Sequence, residues 1–267
     1  MTTAATTGPA VPGTARRLIA LARTEALLLG RNRTAISMAV IMPLALVGAL
    51  HEMLKANRAL MPGTDLHSAM LVGLYLTVLV FGVYYNLTGA YVARRNELVL
   101  KRLRTGELTD WQILTGTALP LVVLALLQVV LLTVAVGVGF GLTAPRNPLL
   151  VLLGLLLALA VLVPLAALSS AYTRTVETAG ITTLPLTVLT LFGSGLVVPF
   201  AGLPDQVALG FRLLPATPAL ALLRTGWLGS DGADHPAGWW LYLPGALVWA
   251  ALAVYAVQRR FLWEPRR

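Results

Sequence analysis

RRNELVLKRLRTGELTDWQILTG, Arg94 to Gly116, is the stretch whose reading decides how this chain folds. It is polar and basic, it stands between two long apolar runs, and residues of this kind do not cross a membrane. Wound as a helix, it sets a partial apolar stripe of Leu98, Leu100, Leu103 and Leu108 against Glu97, Lys101, Arg102, Arg104 and Glu107. The pattern predicts a short helix through Leu103, a break at Gly106 and a new helix opening at Thr109. Gln112, three residues after Thr109, completes the signature of a capping box. Two readings remain at this point: a solvated loop joining two spans, or a segment shaped to be gripped by another protein.

Outward from this stretch the chain is apolar. Hydrophobic residues make up 57% and charged residues 12%, with a mean hydropathy of +0.80. The apolar residues come in blocks long enough to span the hydrocarbon, which takes about 20 residues. Six such blocks run over Thr34 to Leu54, Ser68 to Val92, Ile113 to Leu142, Leu149 to Tyr172, Ala179 to Phe200 and Trp239 to Gln258. The expectation is an all-α membrane protein of six transmembrane helices filling 34–258. There are no cysteines, which excludes a disulfide framework and a thiolate metal site. The formal charge of +9 resides on alternate loops, fifteen basic residues to five when the amino terminus is placed in the cytoplasm. That bias is the positive-inside signature, with both termini cytoplasmic, and it implies attraction to anionic membrane lipid instead of nucleic acid.

Taken in order, Met1 to Gly13 is rich in Thr, Ala, Pro and Gly without periodicity and reads as disordered. Residues 14–33 gather Leu18, Leu21, Ala22 and Leu29 opposite Arg16, Arg17 and Arg23, as expected of a helix lying in the interface, with Glu25 inside the apolar arc. His51 and Glu52 begin HEMLK, which lacks the second histidine of a zinc-protease helix because Lys55 holds that place. In the second span Thr77, Phe81, Tyr84, Thr88 and Tyr91 recur at four-three spacing on one predicted face, with Asn86 nearby. Gln128 lies in the third span, whose Gly137 and Gly141 form a G-x-x-x-G signal for close helix contact. These polar residues either bond helix to helix or line a path for cargo. Ser194 joins them as a path candidate, because a serine nucleophile needs a base and all three histidines fall in predicted outer loops. The outer segment 201–238 is too apolar to be solvated, and its prolines at 204, 215 and 218 forbid one span. It is expected to form two short re-entrant helices, with Trp227, Trp239, Trp240 and Tyr242 at the interface. A basic cytoplasmic tail, 259–267, closes the chain.

From about Thr14 onward the sequence resembles the membrane subunit of a type-2 ATP-binding-cassette exporter. Four stretches carry the likeness: Glu25 with Arg31, Asn32 and Pro43; Asn96 to Gly116; Gly193, Gly195 and Pro199 with Leu203 and Pro204; and Leu214, Pro215, Thr217, Pro218 and Arg224. One departure is the lone Pro199, where many members carry an aromatic-rich stretch. The resemblance implies an elbow helix over 14–33 and a cytoplasmic coupling loop over 94–112 that docks on a separate ATPase subunit. Glu97, Lys101, Arg102, Arg104, Thr105 and Gly106 would make that contact, with Arg174 and Glu177 in the next inner turn as a second one. It further implies two permease copies, or one copy and a close homologue, in a bacterial cytoplasmic membrane, exporting a drug, natural product or lipid. The chain itself is expected to be no enzyme and to bind no cofactor. A phosphate-binding loop requires Gly-Lys, whereas Lys55 follows Leu54 and Lys101 follows Leu100, so ATP would be used by the partner. A membrane-embedded enzyme or an ion-coupled secondary carrier is the alternative.

Overall fold

In a computed structural model, the chain is described over residues 66–106, 108–194, 203–229 and 238–264, together with positions 27, 41, 44–49, 51 and 52. The expectations for the disordered start, the interfacial helix over 14–33, most of the first span, the end of the fifth span and residues 230–237 lie outside these residues. Every element formed by the described residues after Glu52 is helical. Helix α1 comprises three continuous pieces, Leu66–Thr77, Val78–Tyr85 and Asn86–Asn96. After it come α2 (Val99–Arg104), α3 (Asp110–Phe140), α4 (Pro148–Tyr172), α5 (Ala179–Gly193), α6 (Asp205–Arg212), α7 (Thr217–Leu228) and α8 (Tyr242–Arg260).

Four helical stretches are long and apolar enough to cross a membrane: His67–Asn96, Asp110–Phe140, Pro148–Tyr172 and Trp239–Arg260. A fifth arises if α6 and α7, bent by 96° at their junction, count as one broken span. That bend is where the prolines of 201–238 predict it, since Pro215 lies in the turn and Pro218 in the first turn of α7, where a proline is tolerated. The block expected as the fifth span gives α5, only 15 residues within the described chain. Membrane helices turn apolar side chains outward, and α3 does so. Val123, Leu127, Val130, Val134 and Val138 form an exposed stripe along it, as hydrocarbon-facing residues are free to do.

Helix α4 is the centre of the bundle, packed by α7, α8 and α1. Its start is fixed by Asn147, whose side chain accepts from the Leu150 amide at 3.2 Å, and by Pro148 in the first turn. A close approach of backbone to backbone joins α4 to α7 through glycine on both sides. A Cβ on Gly154 would stand 2.5 Å from the Leu223 amide nitrogen, and one on Gly226 would stand 2.6 Å from that of Val151. The expected G-x-x-x-G falls at the end of α3. Among the described residues Gly137 meets Leu142, nothing lies within 4 Å of Gly139, and Gly141 adopts φ 69° as the left-handed cap that ends α3.

One further correction concerns α1. Its middle piece, Val78–Tyr85, is a π-helix. The wider turn shifts the angular position of every residue it contains, so four-three spacing no longer keeps one face. Phe81 is 45% exposed, whereas Tyr84, Thr88 and Tyr91 are buried.

Candidate functional site at the basic end of the bundle

The ends of α1, α4 and α8 meet at one end of the bundle, and the short helix α2 lies there with them. Leu98, at φ 59°, breaks the course of α1 and starts α2 at a new angle. Thr109 then opens α3 with the expected capping box: the Gln112 amide donates to the Thr109 hydroxyl at 3.4 Å, and the Thr109 amide donates to Gln112 Oε1 at 2.9 Å. Local sequence therefore fixes both ends of the α2 loop.

What holds the loop to the bundle is Arg95. Its side chain is buried, and the guanidinium donates to the carbonyl oxygens of Ser170, at 2.7 Å, and Thr173. Those carbonyls belong to the last turn of α4, where backbone acceptors lack helical partners and the helix dipole favours a cation. Beside it, Asn96 Nδ2 donates to the Arg174 carbonyl at 3.1 Å. Two consecutive residues at the foot of α1 thus grip the α4 to α5 turn. The turn is further stiffened by Thr175 and Thr178, which exchange backbone-to-hydroxyl bonds at 3.2 and 3.4 Å. Glu177, fully exposed, has its carboxyl held below the usual carboxylate range by its own backbone amide and the Thr175 hydroxyl.

The tail covers the other side of α2. Lys101 Nζ pairs with Glu264 Oε1 at 2.8 Å, Arg104 stacks over the Trp263 ring at 4.8 Å, and Arg104 Nε donates to Asp110 at 3.0 Å. Phe261 packs edge-on against both Tyr91 and Trp263. Among the expected coupling residues, Glu97 is paired with Arg94 at 3.3 Å. Arg102, Thr105, Gly106, Arg174 and Glu177 remain exposed on the surface. The loop over 94–112 and the turn at Arg174 to Glu177, far apart in sequence, therefore form one continuous patch.

The path candidates fare differently. Tyr84 bonds Ser169 at 2.8 Å, the Thr88 hydroxyl lies 2.8 Å from the Tyr84 carbonyl and 3.3 Å from that of Ala166, and Tyr91 donates to the Leu114 carbonyl at 2.9 Å. These groups tie α1 to α3 and α4. Gln128 is buried against Gly82 of the π-segment. The Ser194 hydroxyl donates to Leu191 at 2.6 Å, and its carbonyl accepts from buried Arg224 at 3.3 Å. Thr77 donates to the Gly73 carbonyl, and Asn86 is exposed, next to exposed Tyr85. Among the described residues, Tyr84, Thr88, Tyr91 and Ser194 thus make contacts within the bundle. Tyr84→Phe is expected to cost about 0.6 kcal/mol, the mean value of a hydrogen bond inside a membrane bundle, and to leave transport within about twofold. A transport loss of tenfold or more with unchanged melting would instead put Tyr84 on the route of the cargo.

With this geometry in view, the comparison with known families is decisive. Residues 61–255 match the family described as ABC-2 family transporter protein. The chain belongs to the ABC-2 transporter family. No curated protein gave a match to set beside that result. As an ABC-2 permease the chain is the membrane component of a transporter, and members of the family typically work with an ATPase partner. Sequence reasoning singled out the exposed basic residues of this end but missed Arg95, Asn96 and the aromatic tail as what holds it together. Arg95 had a signal, since it directly precedes the polar break, but in sequence it is one of many arginines at an inner boundary.

Proposed function

We propose that this ABC-2 permease is the conduit of an ATP-driven exporter and is moved by a separate ATPase docked on α2 and the α4 to α5 turn. The observation that carries the reading is the double grip of Arg95 and Asn96 on Ser170, Thr173 and Arg174. A push delivered at Arg102, Thr105 or Gly106 passes through α2 into the foot of α1, and through the grip into α4, the central helix. The moving unit is then a packed body that rocks, a motion such bundles support. Arg102, Thr105, Gly106, Arg174 and Glu177 face the ATPase, while Glu97, Lys101 and Arg104 keep α2 in place. This end is cytoplasmic by its charge, in a bacterial inner membrane, and a second copy or close homologue completes the path.

The path itself runs along α1 at half-buried Thr77 and exposed Asn86, with Tyr84, Thr88, Tyr91, Gln128 and Ser194 holding the helices beside it. Its cargo is lipophilic: a drug, natural product or lipid. Within the four long spans the only carboxylate is Asp110, at the first residue of α3. A charged cargo or a proton relay would need more.

The test is Glu97→Ala with Arg102→Ala in cells that express the permease with its ATPase. Efflux of a lipophilic dye is expected to fall at least tenfold while the amount of permease in the membrane stays the same. Wild-type efflux from the double variant would overturn the reading, as would dye transport by the permease purified free of any ATPase.

A further inference from the structure

A groove of about 370 Å³ runs between α4 and α8 on the outside of the bundle. Leu165, Leu168, Trp249 and Leu252 form its walls, and its mouth at the basic end carries Arg259 and Arg260. Both helices are membrane spans by length and composition, so the groove opens towards the bilayer. The arginines are exposed and held by aromatic rings: Arg260 donates to the Tyr172 hydroxyl at 3.2 Å, and Arg259 lies 5.5 Å from the Tyr255 ring centre. Among the described residues neither has a carboxylate partner; Glu264, the acidic residue of the tail, pairs with Lys101 instead.

We infer that this groove binds one anionic phospholipid, with an acyl chain between α4 and α8 and the phosphate at Arg259 and Arg260. Two facts select this occupant over a neighbouring helix. The first is length: from Trp249 to Arg260 the groove covers about 16 Å at ~1.5 Å per residue, half of a hydrocarbon core of about 30 Å. One leaflet's acyl chain fits that depth, whereas a partner helix would need a groove along the whole span. The second is charge. Two guanidiniums at the end of an apolar slot complement a phosphate and repel a basic segment, and basic pockets between spans at a membrane surface take anionic headgroups. The inference requires only that the bundle is embedded in a bilayer and stands apart from the proposed coupling to an ATPase.

The purified full-length chain in mild detergent is incubated with equal amounts of dioleoylphosphatidylglycerol and dioleoylphosphatidylcholine, and retained lipid is read by native mass spectrometry. Wild type is expected to retain phosphatidylglycerol at least fivefold over phosphatidylcholine. Arg259→Gln with Arg260→Gln is expected to abolish the preference. Leu252→Trp, which fills the slot without changing charge, is expected to abolish retention; it decides the matter alone if the arginine variant does not stay monodisperse. Equal retention of the two lipids, or retention unaffected by Leu252→Trp, overturns the inference. So does full competition by millimolar glycerol 3-phosphate, which would mean a phosphate site that ignores the chain. Because the protein lacks cysteine, Leu252→Cys provides a further check. Efficient disulfide dimers through that position in native membranes would show that a second copy, and not lipid, fills the groove.

Discussion

Valine at Gly154 is expected to destabilise the bundle strongly. The Cβ it adds would stand 2.5 Å from the Leu223 nitrogen and 2.8 Å from its Cα, and both are backbone atoms that cannot rotate aside. Either α7 moves away from α4 or one of the helices distorts. Helix α7 has little room to move, because every residue from Thr217 to Trp227 is buried and it touches α1, α4 and α8. Overpacking of a rigid contact costs about 1–3 kcal/mol or more, and a clash of backbone on both sides belongs at the upper end. Gly226→Val meets Val151 at 2.6 Å in the same contact and should behave alike. Gly139→Ala is the matched control: it sits in α3 with nothing within 4 Å among the described residues, and a helical Gly to Ala change is worth up to about 1 kcal/mol of stability. Thermal melts followed by size-exclusion in detergent check all three. Equal melting of Gly154→Val and wild type would remove this contact from the account of the fold.

Local chemistry was readable in the sequence, and contacts between distant segments were not. The capping box of Thr109 and Gln112, the break before α3 and the bent pair after Pro204 depend on a few adjacent residues, and they stand where the sequence places them. Span positions follow from hydropathy, which needs no knowledge of neighbours. The α4 to α7 contact depends on which glycine faces which backbone, and small residues occur throughout a membrane chain. Gly137 and Gly141 had the same kind of spacing, yet among the described residues no helix packs on them. The face of α1 was misjudged for a different reason: periodicity assumes an α-helix, and the π-segment from Val78 to Tyr85 breaks that assumption midway. At the basic end of the bundle, the exposed residues were legible from charge and loop length, but the grip beneath them was hidden. Arg95 reads as one more topology arginine until the end of α4 is placed against it.

That grip gives the other large effect. Arg95→Ala removes two charge-assisted hydrogen bonds and leaves the carbonyls of Ser170 and Thr173 facing a void at the end of α4. At about 1.5–3 kcal/mol for each bond to a charged group, the loss is about 3–6 kcal/mol, reduced by any water that enters. Lysine should restore part of it and no more. An ammonium on a flexible stem supplies the charge that the end of α4 favours, but it lacks the planar fork that reaches two carbonyls at once. Asn96→Ala, which releases only the Arg174 carbonyl, should cost about 1 kcal/mol. Melting temperature should therefore rise in the order Arg95→Ala, Arg95→Lys, Asn96→Ala, wild type. That order separates a grip from simple packing, because a merely space-filling Arg95 would be replaced well by lysine. Trypsin supplies the second readout. Once the turn is let go, cleavage after Arg174 should rise at least tenfold in Arg95→Ala while the spans stay protected. If Arg95→Ala melts with wild type and Arg174 stays uncut, α1 and α4 are not joined here, and a push on α2 has no route into the central helix.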